Sequence, residues 1–245
     1  MKINQTILTN NPCYKEGKKI TVKGLMLHSV GCPQPSAKVF VNSWNKADYS
    51  RACVHAFIDA NSGEVYQTLP WNHRGWHCGG KGNDTHIGVE MCEPATADKA
   101  AVQRTYDTAV LLFARLCKKY KLDPLASGVI VSHSEGHKRG IASNHADPEY
   151  LWGKLNMGYT MDRFRKAVKA AMLDAVLYRV QVGAYRRKAN ADAQLAKVKN
   201  AGFDAFIVKV GDLYKVQVGA FSKKANATAQ VARLKKLGIS AFVTK

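Results

Sequence analysis

A duplicated segment near the C-terminus constrains the fold of this chain more than any other feature. Tyr178-Arg-Val-Gln-Val-Gly-Ala-Tyr185 recurs 36 residues later as Tyr214-Lys-Val-Gln-Val-Gly-Ala-Phe221, and 17 of the 31 positions of the repeat are identical. Each copy begins with alternating polar and apolar residues, the pattern of a half-buried strand. An alanine-rich helix follows and stops at Gly202 or Gly238, and a second strand completes each copy.

Two halves of this kind predict a small domain over residues 178–245. Each half is a strand–helix–strand unit, so the pair forms one four-stranded sheet with two helices on one face, a ferredoxin-like arrangement. Residues 174–177 are then a short linker. Residues 1–173 are long enough to form a separate domain with its own core.

The first 173 residues alternate between strand and helix patterns and predict an α/β domain. The apolar runs 23–29, 53–59, 64–69, 87–91 and 128–132 are strands, with a turn at Asn61-Ser62-Gly63 joining the second and third. Residues 36–46, 97–120, 148–152 and 161–173 have helical character. Polar side chains collect where strands end, which is where an α/β domain places its site.

Two of these strand ends carry a histidine. His28 and His133 are each the first polar residue after an apolar strand, and Asp147 follows in the segment Ser143-Asn-His-Ala-Asp147. Two imidazoles and a carboxylate leave a fourth position for water, which is a hydrolytic zinc arrangement. The long spacing without an HExxH motif leaves core histidines as an equal alternative. His137 is a weaker candidate for third ligand, because Gly136 and Gly140 around it predict a loop.

The composition of the chain indicates where the protein is made and what kind of molecule it binds. Six cysteines without a CxxC pair predict buried free thiols in a reducing compartment. No apolar run of about 18 residues and no secretory signal is present, so we expect no membrane insertion, synthesis in the cytoplasm, and release by lysis or a holin-type route. The formal charge is +19, of which residues 178–245 contribute +11, and this favours a polyanionic partner.

An ordered set of motifs in the first domain resembles the type 2 N-acetylmuramoyl-L-alanine amidases, the group that includes peptidoglycan recognition proteins. The motifs are Leu25-Met-Leu-His28, Val54-His-Ala-Phe-Ile-Asp59, Gly63-Glu-Val-Tyr-Gln67, Gly75-Trp-His-Cys-Gly79, Ile87-Gly-Val-Glu90 and His145-Ala-Asp147-Pro. The resemblance implies a mixed sheet flanked by helices, with Zn²⁺ at the floor of a groove. The zinc ligands it implies are His28, His133 and Asp147.

The resemblance also implies a reaction and its residues. Zinc-activated water would cleave the amide between N-acetylmuramic acid and L-alanine, with Glu90 as general base. His145 stands where several relatives have lysine, and its protonated form would stabilise the oxyanion. Trp76, His77 and His55 are the expected substrate-binding residues. Trp76 and His77 are expected to form a groove wall, whereas the side chain of His55 faces either the groove or the core.

The C-terminal repeat resembles the SPOR domain, whose hallmark is this duplicated strand motif with Gln-Val-Gly. That resemblance implies binding to glycan strands stripped of their stem peptides. The glycan-binding positions it suggests are Gln181, Tyr185, Gln217 and Phe221, with Arg179 and Lys215 as electrostatic aids. An amidase produces such bare glycan, so the product of one domain is the expected ligand of the other.

The preferred function is therefore a peptidoglycan hydrolase, most simply a phage or prophage endolysin. The alternatives are a mother-cell autolysin of the same activity and a recognition protein that binds peptidoglycan without cleaving it. Nucleic acid is not an expected partner, because the strands of the repeat lack the aromatic-rich motif of RNA-binding sheets. The sequence indicates no oligomeric state.

Overall fold

A computed structural model describes residues 1–174, 177–221 and 224–244. The chain divides into two units, Met1–Met172 and Leu173–Lys245. Of the predicted linker 174–177, residue 174 ends a helix and residues 175–176 lie outside the described part of the chain. None of the described helices is both long and apolar enough to cross a membrane.

The first unit is built on a six-stranded sheet in the order β1-β4-β3-β5-β2-β6. The strands β3 and β4 are antiparallel, and the other neighbouring pairs are parallel, which confirms the predicted mixed sheet. The strands are β1 (Ile3–Gln5), β2 (Gly24–Ser29), β3 (Ala56–Ile58), β4 (Val65–Gln67), β5 (His86–Met91) and β6 (Ile130–Ser132).

Helices flank this sheet, as expected for an α/β domain. The long helix Lys99–Tyr120 begins at Asp98, whose carboxylate accepts the backbone N–H groups of Ala100 and Ala101. The helices are α1 (Pro12–Glu16), α2 (Ala37–Trp44), α3 (Lys99–Tyr120), α4 (His133–Lys138), α5 (Glu149–Lys154) and α6 (Met161–Asp174), with a short 3₁₀ helix at Lys81–Asp84.

The central strand β2 is buried on both faces, which explains its unbroken apolar run. Leu25 and Leu27 pack into the main core with Phe113 of α3 and Phe164 of α6. Met26 packs on the opposite face with Val131. His28 is two residues after Met26 and therefore lies on this same second face, near the carboxyl end of β2.

The segment after β6 differs from the prediction. Residues 133–138 form α4 and not a loop, because Ser132 and Glu135 make a reciprocal capping box at its start. His133 is the first residue of this helix. His137 lies one turn further on, with its Nδ1 3.3 Å from the carbonyl oxygen of Ala142.

The second unit is a four-stranded antiparallel sheet in the order β10-β7-β9-β8, with two helices. Valines of β7 and β9 share one hydrophobic core with residues from both helices, so the helices cover the same face of the sheet, as predicted. The elements are β7 (Tyr178–Tyr185), α7 (Lys188–Asn200), β8 (Phe206–Val210), β9 (Leu213–Phe221), α8 (Lys224–Lys236) and β10 (Phe242–Thr244).

Candidate metal centre and its groove

Three buried side chains of the first unit converge at the carboxyl ends of β2 and β6. The Nδ1 atoms of His28 and His133 are 3.0 Å apart. Asp147 lies just before α5 and places Oδ2 3.3 Å from Nδ1 of His28 and Oδ1 3.5 Å from Nδ1 of His133. One donor atom from each residue lies within 4.8 Å of the others, so the three could hold a metal ion. His137 is not part of this cluster.

The donor set fits a zinc ion. Bonds of about 2.0–2.1 Å in a tetrahedral site place ligand atoms roughly 3.3 Å apart, close to the spacings seen here. Imidazole nitrogens and a carboxylate are donors that zinc accepts. Three protein donors leave a fourth position open towards the cavity that borders His28, His133 and Asp147.

The outer nitrogens of both histidines are also engaged. Nε2 of His28 lies 3.0 Å from Nδ1 of His77, and Nε2 of His77 lies 3.0 Å from the carbonyl oxygen of His86. Nε2 of His133 lies 3.2 Å from the hydroxyl of Ser143. Each imidazole is therefore held on the side away from Asp147 as well as on the side facing it.

Electrostatics separate the two histidines. Burial acts to lower the pKa of His28, but its hydrogen bond with Asp147 and the charge of Glu90 outweigh burial and leave that pKa raised. Burial and the neighbouring His28 lower the pKa of His133 to about 4. Burial acts to raise the pKa of Asp147, while the two histidines hold it below its usual range. The carboxylate is thus kept ionised among neutral or cationic rings.

Glu90 faces the same cavity from β5. It pairs in register with His28, so both side chains lie on one face of the sheet. Its Oε2 is buried and has no hydrogen-bond partner among the described residues. Burial raises the pKa of Glu90 to about 7, with Asp147 and Glu93 adding to the shift and His28 opposing it. A carboxylate with this pKa can both accept and return a proton near neutral pH.

His145 borders the cavity from its rim. Its side chain is 62% exposed, its Nδ1 lies 3.9 Å from Oδ1 of Asp147, and its ring stacks on that of His133 at 4.5 Å between centroids. It can therefore reach a bound molecule from the solvent side of the cavity that Glu90 also borders.

The cavity around these groups measures about 570 Å³. Trp76 forms part of its wall, and its indole N–H donates to the carboxylate of Glu16 at 3.2 Å. His77 also borders it, although both of its nitrogens are occupied by other residues of the protein. Contact of Trp76 and His77 with a substrate stays a prediction.

His55 does not reach the groove, which corrects its expected role in substrate binding. The side chain is fully buried. Its Nε2 donates to the carbonyl oxygen of His73 at 2.8 Å, and its Nδ1 accepts the backbone N–H of Gly88 at 3.0 Å. Burial lowers its pKa to about 4. His55 is a neutral structural residue that joins two segments of backbone.

A second polar surface lies on the face of the C-terminal sheet opposite its helices. Cross-strand pairs place Phe242 beside Gln181, Gln181 beside Gln217, and Gln217 beside Phe206, in one row across all four strands. The glutamines are almost fully buried, whereas Phe206 and Phe242 are 48% and 50% exposed. A cavity of about 500 Å³ here borders Gln181, Gln217, Phe206, Arg179 and Lys215.

The other two positions expected on this surface lie elsewhere. Tyr185 and Phe221 do not border the cavity; they are half-buried and pack against the hydrophobic core of their unit. A Cβ at Gly183 would lie 2.5 Å from the ring of Tyr185, so this ring folds back over its own strand. In place of these two residues, the structure brings Phe206 and Phe242 beside the glutamines.

Comparison with known proteins assigns each of the two units to a family. A sequence model described as N-acetylmuramoyl-L-alanine amidase matches residues 18–150, more than half of the chain. The chain belongs to the N-acetylmuramoyl-L-alanine amidase family. A model of the SPOR domain matches residues 174–245, so this amidase-family chain carries a C-terminal SPOR domain. Both resemblances inferred from the motifs are confirmed.

Individual relatives agree with this assignment. The bifunctional autolysin of Staphylococcus aureus is 29% identical over 122 residues, which are 48% of this chain and 10% of the autolysin. The chain thus spans about a tenth of the length of the curated relatives it matches.

Solved structures share the fold of the amidase unit. The hydrolase AmiA of Staphylococcus aureus superposes with a TM-score of 0.57 at 22% identity, covering 70% of this chain and 82% of that one. A mutant endolysin from Bacillus subtilis gives a TM-score of 0.51 at 24% identity, covering 69% and 99%. At these identities the likeness shows the fold alone.

The structure also shows two residues at or beside the groove that the sequence did not single out. Buried Glu93, two residues after β5, accepts the backbone N–H of Gly31 at 2.8 Å and the hydroxyl of Tyr150. Tyr150 itself borders the cavity. Its only sequence signal was its position three residues after Asp147, because a tyrosine within a helical segment ordinarily indicates packing.

Proposed function

We propose that this chain is a zinc-dependent peptidoglycan hydrolase that cleaves the amide between N-acetylmuramic acid and L-alanine. The observation that carries the proposal is the convergence of His28, His133 and Asp147 opposite Glu90 in an open cavity. Family membership supports the bond that is cleaved. The SPOR domain supports the cell wall as the place of action.

The residues of the cavity divide the chemistry among them. His28, His133 and Asp147 would hold the zinc, which when bound supplies a Lewis acid that polarises the amide carbonyl and acidifies water. Glu90 takes a proton from the attacking water and returns it to the nitrogen of the leaving L-alanine. Because Oε2 of Glu90 has no partner among the described residues, no internal hydrogen bond of that oxygen must break first.

His145 completes the set from the solvent side. Its exposed imidazole N–H would donate to the carbonyl oxygen as negative charge develops there, most strongly when the ring is protonated. Half-buried Glu90 and exposed His145 thus border the same cavity at different depths. This division keeps the proton-transferring carboxylate away from bulk water and leaves the rim accessible to a polymer.

The SPOR domain would bind the glycan that the first unit leaves behind. Phe206 and Phe242 offer exposed aromatic faces to sugar rings, and the amides of Gln181 and Gln217 lie between them. Arg179 and Lys215 add positive charge to the same surface. A strand without stem peptides can lie flat against such a sheet.

We also propose that the protein acts as a lytic enzyme of the endolysin type, reaching the wall after release by lysis or a holin-type route. A mother-cell autolysin would use the same chemistry. The resemblance in fold to an endolysin and the partial match to an autolysin are compatible with both.

Digestion of purified cell walls tests the activity. Zinc-loaded wild type should release peptides with a free L-alanine amino terminus and leave intact N-acetylmuramic acid, as read by mass spectrometry. Glu90→Gln keeps the size of the side chain but cannot accept the proton, so release should fall by two or more orders of magnitude, about 10²–10⁴-fold. A zinc-loaded wild type that binds walls without releasing these peptides would identify a recognition protein instead.

A further inference from the structure

His77 occupies a place that the backbone leaves open for its ring. A Cβ on Gly88 of β5 would lie 2.4 Å from Cγ of His77, and a Cβ on Gly75 would lie 2.9 Å from its Cδ2. No real Cβ approaches another atom as closely as the first of these distances. The imidazole therefore lies directly over the strand next to β2, where only glycine at position 88 permits it.

The donor and the acceptor in each hydrogen bond of the His77 ring follow from whether its partner can donate or only accept. The carbonyl oxygen of His86 can only accept, so Nε2 of His77 carries the hydrogen of that 3.0 Å contact. A neutral imidazole has one N–H, so Nδ1 of His77 carries a lone pair. Nε2 of His28, 3.0 Å away, must then be the donor.

The surroundings of His77 keep its ring neutral. Among the described residues its close partners are the imidazoles of His28 and His55 and the carbonyl of His86, and it makes no ion pair with a carboxylate. A second proton on Nδ1 would also face the N–H of His28. The contact thus has one favourable arrangement, in which His28 donates.

Ser143 accepts a hydrogen bond from His133 in the same way that His77 accepts one from His28. Its hydroxyl donates to the carbonyl oxygen of Cys78 at 3.2 Å, because a carbonyl cannot donate in return. The oxygen lone pairs of Ser143 are then left to accept from Nε2 of His133, also at 3.2 Å. His133 is thereby held with its hydrogen on Nε2.

We propose that His77 and Ser143 are positioning residues that fix His28 and His133 as their Nε2–H tautomers. When the rings are neutral, both Nδ1 lone pairs then point at the space they share with Asp147. The proposal rests on the assignment of these three residues as a cation site. It extends that assignment to two residues that touch neither the cation nor the substrate carbonyl, and it gives His77 a role other than a groove wall.

Such an arrangement lowers the cost of binding a cation. Two lone pairs and a carboxylate facing one another repel unless a positive charge lies between them, and no tautomer change is needed when zinc binds. Partners of this kind orient ligands and typically contribute about 10–100-fold to metal affinity. Free rotation or tautomer exchange of either ring would forfeit part of this preorganisation.

Ring-nitrogen NMR on the full-length, ¹⁵N-labelled chain tests the proposal directly. Long-range ¹H–¹⁵N spectra distinguish the two tautomers of each histidine, and alkaline pH in metal-free buffer keeps the rings neutral. We expect the Nε2–H form for both His28 and His133. His77→Leu should release only His28 into a mixture of tautomers, and Ser143→Ala should release only His133.

Matched variants separate positioning from general damage. His77→Asn retains a side-chain oxygen that can accept from His28, so it should restore the Nε2–H form. His55, which donates from Nε2 to the carbonyl of His73, should keep its tautomer in every variant and so reports an intact fold. If His77→Leu proves misfolded by this probe, the Ser143→Ala arm decides.

Zinc affinity, measured by competition with a chelator, is the second readout. His77→Leu and Ser143→Ala should each weaken binding by about 10–100-fold, with His77→Asn close to wild type. An Nδ1–H tautomer in wild type, or folded variants whose tautomers and affinity match wild type, would overturn the proposal. Neither readout requires hydrolysis, so failure of the proposed enzymatic function would appear separately, as normal zinc binding without product release.

Discussion

His28 and His133 direct their Nδ1 atoms at each other across 3.0 Å, although 105 residues separate them in the sequence. The neighbouring parallel strands β2 and β6 bring them together, since His28 lies near the end of the first and His133 directly follows the second. The oxygens of Asp147 close the third side. Three predictions concern this cluster and the residues around it, and a fourth concerns the SPOR domain.

Zinc should stabilise the folded protein through these three residues. At a free zinc concentration about 100 times the dissociation constant, binding adds about 2.7 kcal/mol to the free energy of unfolding. His28→Ala should abolish this increase, as read by thermal or denaturant unfolding with and without the metal. His137→Ala removes a nearby histidine outside the cluster and should retain it. An equal loss in both variants would contradict the assigned ligands.

Glu90 should titrate well above an ordinary glutamate. Burial raises its pKa to about 7, so its side-chain carboxyl ¹³C signal in the metal-free protein should change near neutral pH. Bound zinc favours the ionised form and should lower that pKa. Hydrolysis should rise with pH as Glu90 loses its proton. A metal-free titration near 4.5 would show that the carboxyl is solvated, and Glu90→Gln assigns the signal by removing it.

His55 should make the amidase unit sensitive to acid. Its folded-state pKa of about 4 lies below the ordinary 6.5, so the unfolded chain takes up the proton first as pH falls. The stability from neutral His55 is complete above about 6.5 and is lost as pH falls towards 4, by about 3 kcal/mol. In His55→Gln, which keeps a neutral donor, unfolding free energy should depend less steeply on pH across this window. An unchanged slope would exclude His55 as a source.

Phe206 and Phe242 should dominate glycan binding by the SPOR domain. Truncating either to alanine removes an exposed aromatic face beside a buried glutamine and should weaken binding to amidase-treated glycan by roughly tenfold, about 1.4 kcal/mol. Leu237→Ala, a similarly exposed apolar residue following α8, is the control and should bind normally. If Tyr185→Ala alone weakened binding, the ligand would lie away from the cavity.

Sequence reasoning identified the histidines of the candidate metal centre because the ends of strands can be recognised in an apolar pattern. His28 and His133 each follow such a run, and the amidase motifs supplied Asp147 and Glu90. The hydrogen-bond partners of the histidines could not be predicted from the sequence. Whether His55 and His77 face substrate or backbone depends on which carbonyl group or glycine lies opposite each ring. Only the register of the strands in the folded protein places Gly88 under the ring of His77 and beside that of His55.

On the SPOR sheet, too, the residues that lie side by side could not be predicted from the sequence. The repeat aligned Phe206 with Phe242, but nothing in one strand shows which residue lies beside it in the next. Pairing of β8 with β9 and of β10 with β7 sets both rings next to glutamines. Tyr185 and Phe221 share the strand motif with those glutamines, yet their rings lie over glycines of their own strands and pack against the core.

The row Phe242–Gln181–Gln217–Phe206 has the same order of residue types from either edge of the sheet, because each copy of the repeat contributes one glutamine and one phenylalanine. A glycan strand is directional, with a reducing and a non-reducing end. A surface whose main contacts repeat under a half-turn rotation would offer similar binding to a strand that enters in either direction. A SPOR domain that binds glycan through this row would therefore accept strands of either polarity, so antiparallel neighbouring strands would be equivalent ligands for it.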